Sequence, residues 1–298
     1  MEIKQLEIIL KDTHFEHLTG SIESVELNGV VYKNLFKAGN KNTGYFAVKT
    51  RKKENKFVVD SLYNTALIND TDDFINKSKD IIEKSDRIVI ISNWLNGIQP
   101  IHNHKEYLPK FFELLAHFNK RNIAKGLSTS MYTYNKYFDK IDDLINWEII
   151  HHKKYFQGIY KTNEIIKILG SLKNGFPCVI LEDMNTGNLI VTDDGKYKYL
   201  DLDWIINGLN LYQFEKIDYF GFKEKKWYYI NEKAKDCYTA YFETLGIKTE
   251  EANEQIRAFE LLQILRINTR LICNEDDSYD EEEIKNRIKT VMEHNKFI

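Results

Sequence analysis

The sequence predicts an α+β protein in two parts, a small β-rich N-terminal part over residues 1–93 and a larger, mainly helical part over residues 94–298. Two observations support this division. In the N-terminal part, short apolar runs are separated by turn residues, as in strands; from about Pro100 onward, apolar residues recur at helical spacing. Residues 93–97, which separate the two patterns, are the best candidate boundary.

The composition is that of a folded protein with a substantial core. The chain has 298 residues, of which 43% are hydrophobic and 13% aromatic, so disorder is excluded as its main state. Cys178, Cys237 and Cys273 lie far apart in the sequence, which favours reduced thiols packed as small apolar groups over a disulfide framework or a zinc site.

Charge and hydropathy argue against two further classes of protein, nucleic-acid-binding proteins and membrane-spanning proteins. Lys and Arg total 42 against 45 Asp and Glu, which gives a net charge of -3. The sequence has no long basic run that could contact a phosphate backbone, so nucleic-acid binding is not expected. No apolar segment approaches the roughly 20 residues of a membrane span, and the first residues lack the core of a signal peptide. We therefore expect a soluble cytoplasmic protein.

The N-terminal part reads as a small sheet with one helix. An Asn28-Gly29 turn lies within residues 24–31, and residues 44–49 form a short strand that ends in Lys49. Apolar spacing predicts a helix over residues 57–66, and residues 80–92 predict two strands joined by a turn.

The C-terminal part reads as helical with one β-hairpin. Three segments place apolar residues on one helical face: Leu108, Phe111, Phe112 and Leu115; Tyr238, Tyr241, Phe242 and Leu245; and Ile284, Ile288, Val291 and Met292. The hairpin consists of residues 189–191, a turn at residues 193–195, and residues 197–202.

This hairpin carries the candidate chemistry. Asn188 precedes the centre of the turn by about six residues and Asp201 follows it by about seven, so antiparallel pairing brings the two side by side. Mg²⁺ prefers such oxygen ligands, with phosphates supplying the others. Asp183, five residues before Asn188, lies where it could orient a hydroxyl nucleophile. The arrangement is typical of a phosphoryl-transfer site.

The loop from Asp183 to Asn188, the hairpin, and the Asp201-x-Asp203-Trp204 run that follows resemble the active-site core of the aminoglycoside/choline phosphotransferase superfamily. Those enzymes share the protein-kinase-like bilobal fold. Within the superfamily, this stretch is most similar to the bacterial spore-coat kinase-like branch.

The resemblance implies a role for each matched residue. Asp183 would be the catalytic aspartate, Asn188 and Asp201 would be the Mg²⁺ ligands, and Asp203 would be a helper or a bystander. It also implies ATP as the phosphoryl donor and a hydroxyl of an aminoglycoside-like or choline-like small molecule as the acceptor. The competing interpretation is ordinary turn chemistry, because Asn, Thr, Gly and Asp are common in loops that bind nothing.

Lys49 is similar to the strand lysine that holds the α- and β-phosphates in kinase-like enzymes, although a solvated lysine at a strand end is the alternative. Asp60, with Glu54 as a weaker candidate, is the acidic partner that the following helix would offer to Lys49. Trp94 lies in a segment that resembles the adenine-reading hinge, and it is either an adenine contact or an interface aromatic.

Two features depart from the superfamily pattern. Leu181 stands where a histidine usually precedes the catalytic aspartate by two residues, and residues 18–22, with the single glycine Gly20, are the best substitute for a phosphate-covering loop. These departures keep open an alternative function, a kinase-fold pseudoenzyme or a spore-coat-type assembly protein with little catalysis.

Two other kinds of cluster, histidine pairs and an acidic run, are expected to have no ligand-binding role. The pairs His102/His104 and His151/His152 have no Cys or carboxylate at ligand spacing, so they are expected to be solvated histidines and not a metal site. The acidic run over residues 275–283 could attract a polycationic substrate, but it is more typical of a loop and the acidic first turn of a helix.

Overall fold

A computed structural model describes residues 2–27, 30–53, 68, 73–100, 105–128, 136–156, 161–182, 184, 186–201, 205–219, 232–272 and 281–293. The chain begins with a helix, α1 (Ile3–Leu10), which the sequence patterns did not predict. Leu6 and Leu10 of this helix are fully buried against the N-terminal sheet, and this burial supplies the stability that so short a helix lacks alone. The helix predicted over residues 57–66 lies outside the described residues.

The N-terminal sheet has five antiparallel strands in the order β1-β2-β3-β5-β4. Their bounds are β1 (Glu23–Leu27), β2 (Val30–Asn40), β3 (Gly44–Lys52), β4 (Ser78–Glu83) and β5 (Arg87–Asn93). Val48 and Thr50 of β3 are buried on the face that carries α1, so the alternation of a strand sends Lys49 to the opposite face. The predicted N-terminal sheet is confirmed.

Most of the C-terminal part consists of helices. They are α2 (Leu108–Arg121), α3 (Ile141–Phe156), α4 (Thr162–Leu169), α5 (Glu232–Leu245), α6 (Thr249–Ile272) and α7 (Glu281–Glu293). The apolar stripe predicted for α2 is buried to 1% exposure or less at all four positions, and it packs against the buried stripe of α5. The three amphipathic segments expected from the sequence are therefore helices.

Strands are more numerous in this part than the sequence indicated. The predicted hairpin is β10 (Leu189–Thr192) and β11 (Tyr197–Tyr199), and β6 (Gly97–Ile98) adds a third strand beside β10. A separate antiparallel pair, β9 (Pro177–Leu181) and β12 (Ile205–Leu209), flanks the hairpin in sequence, and β7 (Leu127–Ser128) pairs with β8 (Tyr137–Phe138). The expectation of a single β interruption was wrong, because neither strand shows the alternation that marks a half-buried strand: β9 is a short continuous apolar run, and the apolar residues of β12 are interrupted by Asn207 and Gly208.

A buried ionic cluster joins α3 to α6. Glu148 accepts hydrogen bonds from Arg266, from the Tyr212 hydroxyl at 3.1 Å and from His152 Nε2 at 3.1 Å, and all four residues are at most 1% exposed. Burial raises the pKa of Glu148, but Arg266 and His152 outweigh it and hold the pKa to about 2. His152 is thus not solvated as the sequence suggested; His102 and His104 lie outside the described residues.

Cys178 and Cys237 are buried free thiols, and burial raises the pKa of each; Cys273 lies outside the described residues. In the described part of the chain, no helix is both long and apolar enough to cross a bilayer.

Candidate active site

The β10–β11 hairpin brings two candidate metal ligands to its open end. Leu189 pairs with Tyr199, and the Leu200 N–H donates to the Asn188 carbonyl at 2.8 Å, so Asp201 follows directly after a residue bonded to Asn188. At the closed end Gly195 has a φ of 78°, a left-handed conformation that favours glycine. The geometry expected from residue counting is present, although the second strand ends at Tyr199 and not at residue 202.

Lys49 and Asp201 meet in the space between the sheet and the hairpin. Lys49 Nζ lies 2.6 Å from Asp201 Oδ2, and both side chains are 20% exposed. Lys49 is paired in register with Leu35 of β2 and Ile90 of β5, so its position is set by three strands. A cation and a carboxylate are therefore held together at a partly solvated site, next to Asn188.

The hairpin is attached to the N-terminal sheet by the segment that leads into β4. Ile75 forms a parallel bridge with Tyr199: the Tyr199 N–H donates to the Phe74 carbonyl at 2.8 Å, and the Asn76 N–H donates to the Tyr199 carbonyl at 2.9 Å. The Asn76 side-chain amide also donates to the Asn93 carbonyl at the end of β5, at 3.0 Å. These main-chain bonds fix the distance between the strand with Lys49 and the hairpin with Asp201.

The segment that connects the two parts, residues 94–97, contacts the hairpin on one side and the N-terminal sheet on the other. Gly97 approaches the hairpin so closely that a Cβ there would lie 2.1 Å from the Val191 carbonyl oxygen, so only glycine fits. Trp94 is half-buried; its main-chain N–H donates to the Tyr45 carbonyl at 3.0 Å, and its ring lies 5.3 Å from Lys37 Nζ. Because that N–H is engaged by β3, any main-chain reading of an adenine would fall to other atoms of the segment.

The loop between β9 and β10 contains the predicted catalytic aspartate. Asp183 itself lies outside the described residues, but Leu181 and Met184 on either side of it are fully buried. Farther along the loop, the Gly187 carbonyl accepts a hydrogen bond of 2.8 Å from the Gln99 side chain. Leu181, which replaces the expected histidine, belongs to β9 and pairs with Ile205, so the start of the loop is held by apolar packing and the β9–β12 ladder.

Behind the loop, a buried polar network supports β9. The Asn119 side-chain amide donates to the Val179 carbonyl at 2.9 Å, and its oxygen accepts from Gln213 at 2.7 Å and from the Tyr241 hydroxyl at 2.8 Å. Burial raises the pKa of Tyr241, which keeps its hydroxyl protonated as the donor that this network needs. The sequence patterns predicted no role for Asn119, Gln213 or Gln99, because the partners of these side chains lie far away in sequence.

Residues 18–22 do not cover the lysine strand. They precede β1, Leu18 is buried with α1, and the Gly20 N–H donates to the Glu7 carboxylate at 2.8 Å. The connection between β1 and β2, which contains Asn28 and Gly29, lies outside the described residues. Glu54, Asp60, Asp203, Trp204 and residues 275–280 also lie outside the described residues; within the described part of the chain, Asp201 is an acid that lies beside Lys49.

The order of strands, the crossing segment and the helical second part define the protein-kinase-like bilobal fold: a five-stranded sheet presents a lysine to a hairpin that follows an aspartate-containing loop. No family model matches the sequence, and no curated protein matches it.

Solved structures match along nearly the whole chain. The aminoglycoside phosphotransferase APH(4)-Ia is similar with a TM-score of 0.58 at 13% identity, covering 98% of both chains. The choline kinase LicA from Streptococcus pneumoniae gives 0.56 at 14% identity, over 97% of this chain and 100% of its own. An aminoglycoside phosphotransferase from Alicyclobacillus acidocaldarius gives 0.55 at 10% identity, over 92% of this chain and 89% of its own. These similarities confirm the protein-kinase-like fold that the resemblance implied.

Proposed function

We propose that the protein is an ATP- and Mg²⁺-dependent phosphotransferase that moves the γ-phosphate to a hydroxyl of a small molecule. The observation that carries the proposal is the 2.6 Å contact between Lys49 and Asp201, which lie 152 positions apart in sequence. An isolated strand-end lysine or a turn aspartate would be ordinary; their meeting at the open end of the hairpin, beside Asn188, is the layout of a phosphoryl-transfer site.

The nucleotide would lie between the sheet and the hairpin. Lys49 would hold the α- and β-phosphates, since it projects into this space from the sheet face opposite α1. A similar structure, a thermostable mutant of APH(4)-Ia, is a ternary complex with ADP and hygromycin B, which supports a nucleotide and a small-molecule acceptor for this fold.

Asn188 and Asp201 would hold Mg²⁺. Their donor set fits this ion, because a carboxylate and a side-chain amide oxygen are hard ligands. The main-chain carbonyl of Asn188 already accepts a hydrogen bond from the Leu200 N–H, so the side-chain oxygen of Asn188 would be the ligand. When bound, Mg²⁺ would supply positive charge to the β- and γ-phosphates. Lys49 would then hold phosphate oxygens and Asp201 would hold the ion, in place of their direct contact.

Asp183 would orient the acceptor hydroxyl and accept its proton. It lies between two fully buried residues, Leu181 and Met184, and a loop anchored in this way can present a side chain reproducibly. The burial of Leu181 in β9 also bears on the pseudoenzyme alternative, because the start of the loop is held without the missing histidine.

A thermal-shift titration followed by an acceptor screen tests the proposal. Mg-ATP should raise the melting temperature of the wild type by mass action, and Lys49→Ala should remove most of this shift. Lys53→Ala is the matched control, since Lys53 lies just after β3 in an exposed pair with Glu83 at 3.1 Å. A screen of amino sugars, choline-like alcohols and sugars with labelled ATP then measures transfer. Absence of any nucleotide shift contradicts the proposal, and a shift without transfer to any hydroxyl favours the pseudoenzyme.

A further inference from the structure

Gln99 follows β6 in the chain and reaches the loop that carries Asn188. Its side-chain amide donates to the Gly187 carbonyl at 2.8 Å, across 88 positions of sequence. We propose that Gln99 is a positioning residue for the metal site, which fixes the backbone of Asn188 so that the Asn188 side chain can serve as a ligand. The inference rests on the proposed function, because it concerns the Mg²⁺ site of that proposal.

The local structure explains why Gln99 lies beside this loop. Ile98 of β6 pairs with Val191 of β10, and the two strands are antiparallel, so the chain after β6 runs toward the start of β10. Pro100 follows, and because it has no N–H it cannot donate a further bond to that strand. The half-buried side chain of Gln99 therefore supplies a link to the loop where the main-chain ladder ends.

The bond from Gln99 is one of two that hold the peptide units on either side of Asn188. The Gly187 carbonyl belongs to the peptide unit before the Asn188 Cα, and the Asn188 carbonyl belongs to the unit after it. Gln99 holds the first carbonyl at 2.8 Å, and the Leu200 N–H holds the second at 2.8 Å. Because each peptide unit is planar, fixing both planes fixes the φ and ψ angles of Asn188 and hence the direction of its Cα–Cβ bond.

The short turn that contains Asn188 gains from this support. Thr186–Asn188 is a single 3-10 turn, and hydrogen bonds in such turns have poorer geometry than those of an α-helix. Gly187 is exposed and has no side chain that could pack against the neighbouring strands. The burial of Leu189 fixes the chain after the turn, whereas the bond from Gln99 fixes it within the turn.

The two bonds reach Asn188 from different parts of the fold. Leu200 directly precedes Asp201, so its bond sets the separation of the two proposed ligands along the hairpin. Gln99 instead follows the segment that connects the N-terminal sheet to the helical part. The geometry of the metal site would thus depend on the position of that connection as well as on the hairpin.

Groups that hold metal ligands in place usually contribute measurably to metal affinity. Loss of a hydrogen-bonded partner behind a ligand lowers the affinity by about 10- to 100-fold. Because Gln99 bonds to the backbone next to the ligand and not to the ligand side chain, we expect an effect at the lower end of that range.

Calorimetric titration with AMP-PNP, a nucleotide that is not turned over, tests this role in buffer with EDTA and in buffer with Mg²⁺. Gln99→Met has a side chain of nearly the same length but no N–H donor. It should weaken AMP-PNP binding about tenfold in Mg²⁺ and leave it within about twofold of the wild type in EDTA. Asn253→Ala is the control, because it removes an amide-to-carbonyl bond of 2.9 Å to Thr249 within α6. It should lower the melting temperature and leave the effect of Mg²⁺ on binding unchanged.

The results separate this inference from the proposed function. If Mg²⁺ does not strengthen AMP-PNP binding to the wild type, the proposed metal site is wrong and the role of Gln99 is wrong with it. If Mg²⁺ strengthens binding equally in the wild type and in Gln99→Met, the proposed function stands and Gln99 has no positioning role.

Two other results would also overturn the inference. Equal weakening in EDTA and in Mg²⁺ would show that Gln99 acts on the nucleotide and not on the metal ligand, and an equal loss in Asn253→Ala would show an effect of stability alone. If Gln99→Met fails to fold, Gln99→Asn decides, because its amide is shorter by one methylene group and is withdrawn from the Gly187 carbonyl. An unchanged effect of Mg²⁺ in that variant would equally contradict the positioning role.

Discussion

Lys49 Nζ and Asp201 Oδ2 are 2.6 Å apart, although 152 positions separate the two residues in sequence. The first residue belongs to the central region of a five-stranded sheet and the second follows the hairpin of the helical part. Both side chains keep a fifth of their surface exposed, so the contact is accessible to solvent. A partly solvated pair that joins the two parts is well placed to exchange its direct contact for a phosphate and a metal ion.

Asp201→Asn should abolish phosphoryl transfer while the protein still folds. The variant loses the charged metal ligand, yet asparagine has nearly the same size and keeps an oxygen that can accept a hydrogen bond from Lys49. Transfer from labelled Mg-ATP and the melting temperature are the measurements. Asp142→Asn is the control, since it breaks an exposed pair with Lys173 of 3.0 Å on the helical part. Wild-type turnover in Asp201→Asn would disprove the metal assignment.

Asp183→Ala should keep Mg-ATP affinity within a few fold and lower the turnover number by on the order of 10² to 10⁴, the usual contribution of a positioned general base. The reason is that Asn188 and Asp201 already supply the proposed metal ligands. Calorimetry with Mg-ATP and single-turnover transfer measure the two quantities separately. If the Mg-ATP affinity falls as far as in Asp201→Asn, then Asp183 is a metal or structural residue. If neither the affinity nor the turnover number changes, the result favours the non-catalytic alternative.

Leu181→His, which introduces the histidine usual in the superfamily, should destabilise the protein and not raise its turnover. Leu181 is fully buried in β9 opposite Ile205, and an imidazole there would lose its hydration, at a cost of about 1 to 3 kcal/mol. Denaturant unfolding measures the loss, with Leu181→Met as the volume-conserving control. A more active variant of unchanged stability would show that the loop lacks the histidine and is not held by apolar packing.

Glu148→Gln should lower the free energy of unfolding by about 3 to 5 kcal/mol at neutral pH, because it leaves the charge of Arg266 buried without its carboxylate. Glu164→Gln, in an exposed pair with Lys161 of 3.2 Å, should change it little.

The same carboxylate predicts a pH dependence. Its folded-state pKa of about 2 lies below the ordinary value of 4.5, so its stabilising contribution is complete above pH 4.5 and is lost as pH falls toward 2. The stability difference between wild type and Glu148→Gln should therefore shrink across that interval. Denaturant midpoints at several pH values measure it, and a difference that stays constant down to pH 2 would contradict the low pKa.

The sequence by itself determined the features that depend on neighbouring residues. Helical spacing located α2, α5 and α7, alternation and turns located the sheet strands, and counting from the Asp194-Gly195 turn brought Asn188 near Asp201. These succeed because periodicity and turn geometry act within a few residues. The same reasoning missed α1 and the β9–β12 pair, whose existence depends on burial against distant elements.

Only the tertiary structure decided which distant groups meet. It placed Asp201 beside Lys49, buried Leu181 and His152, and joined Asn76 to Asn93. The physical reason is that such contacts depend on how a sheet, a hairpin and several helices pack as a whole. A side chain's partner across 100 or more residues leaves no periodic signal, as the separation of 152 between Lys49 and Asp201 illustrates.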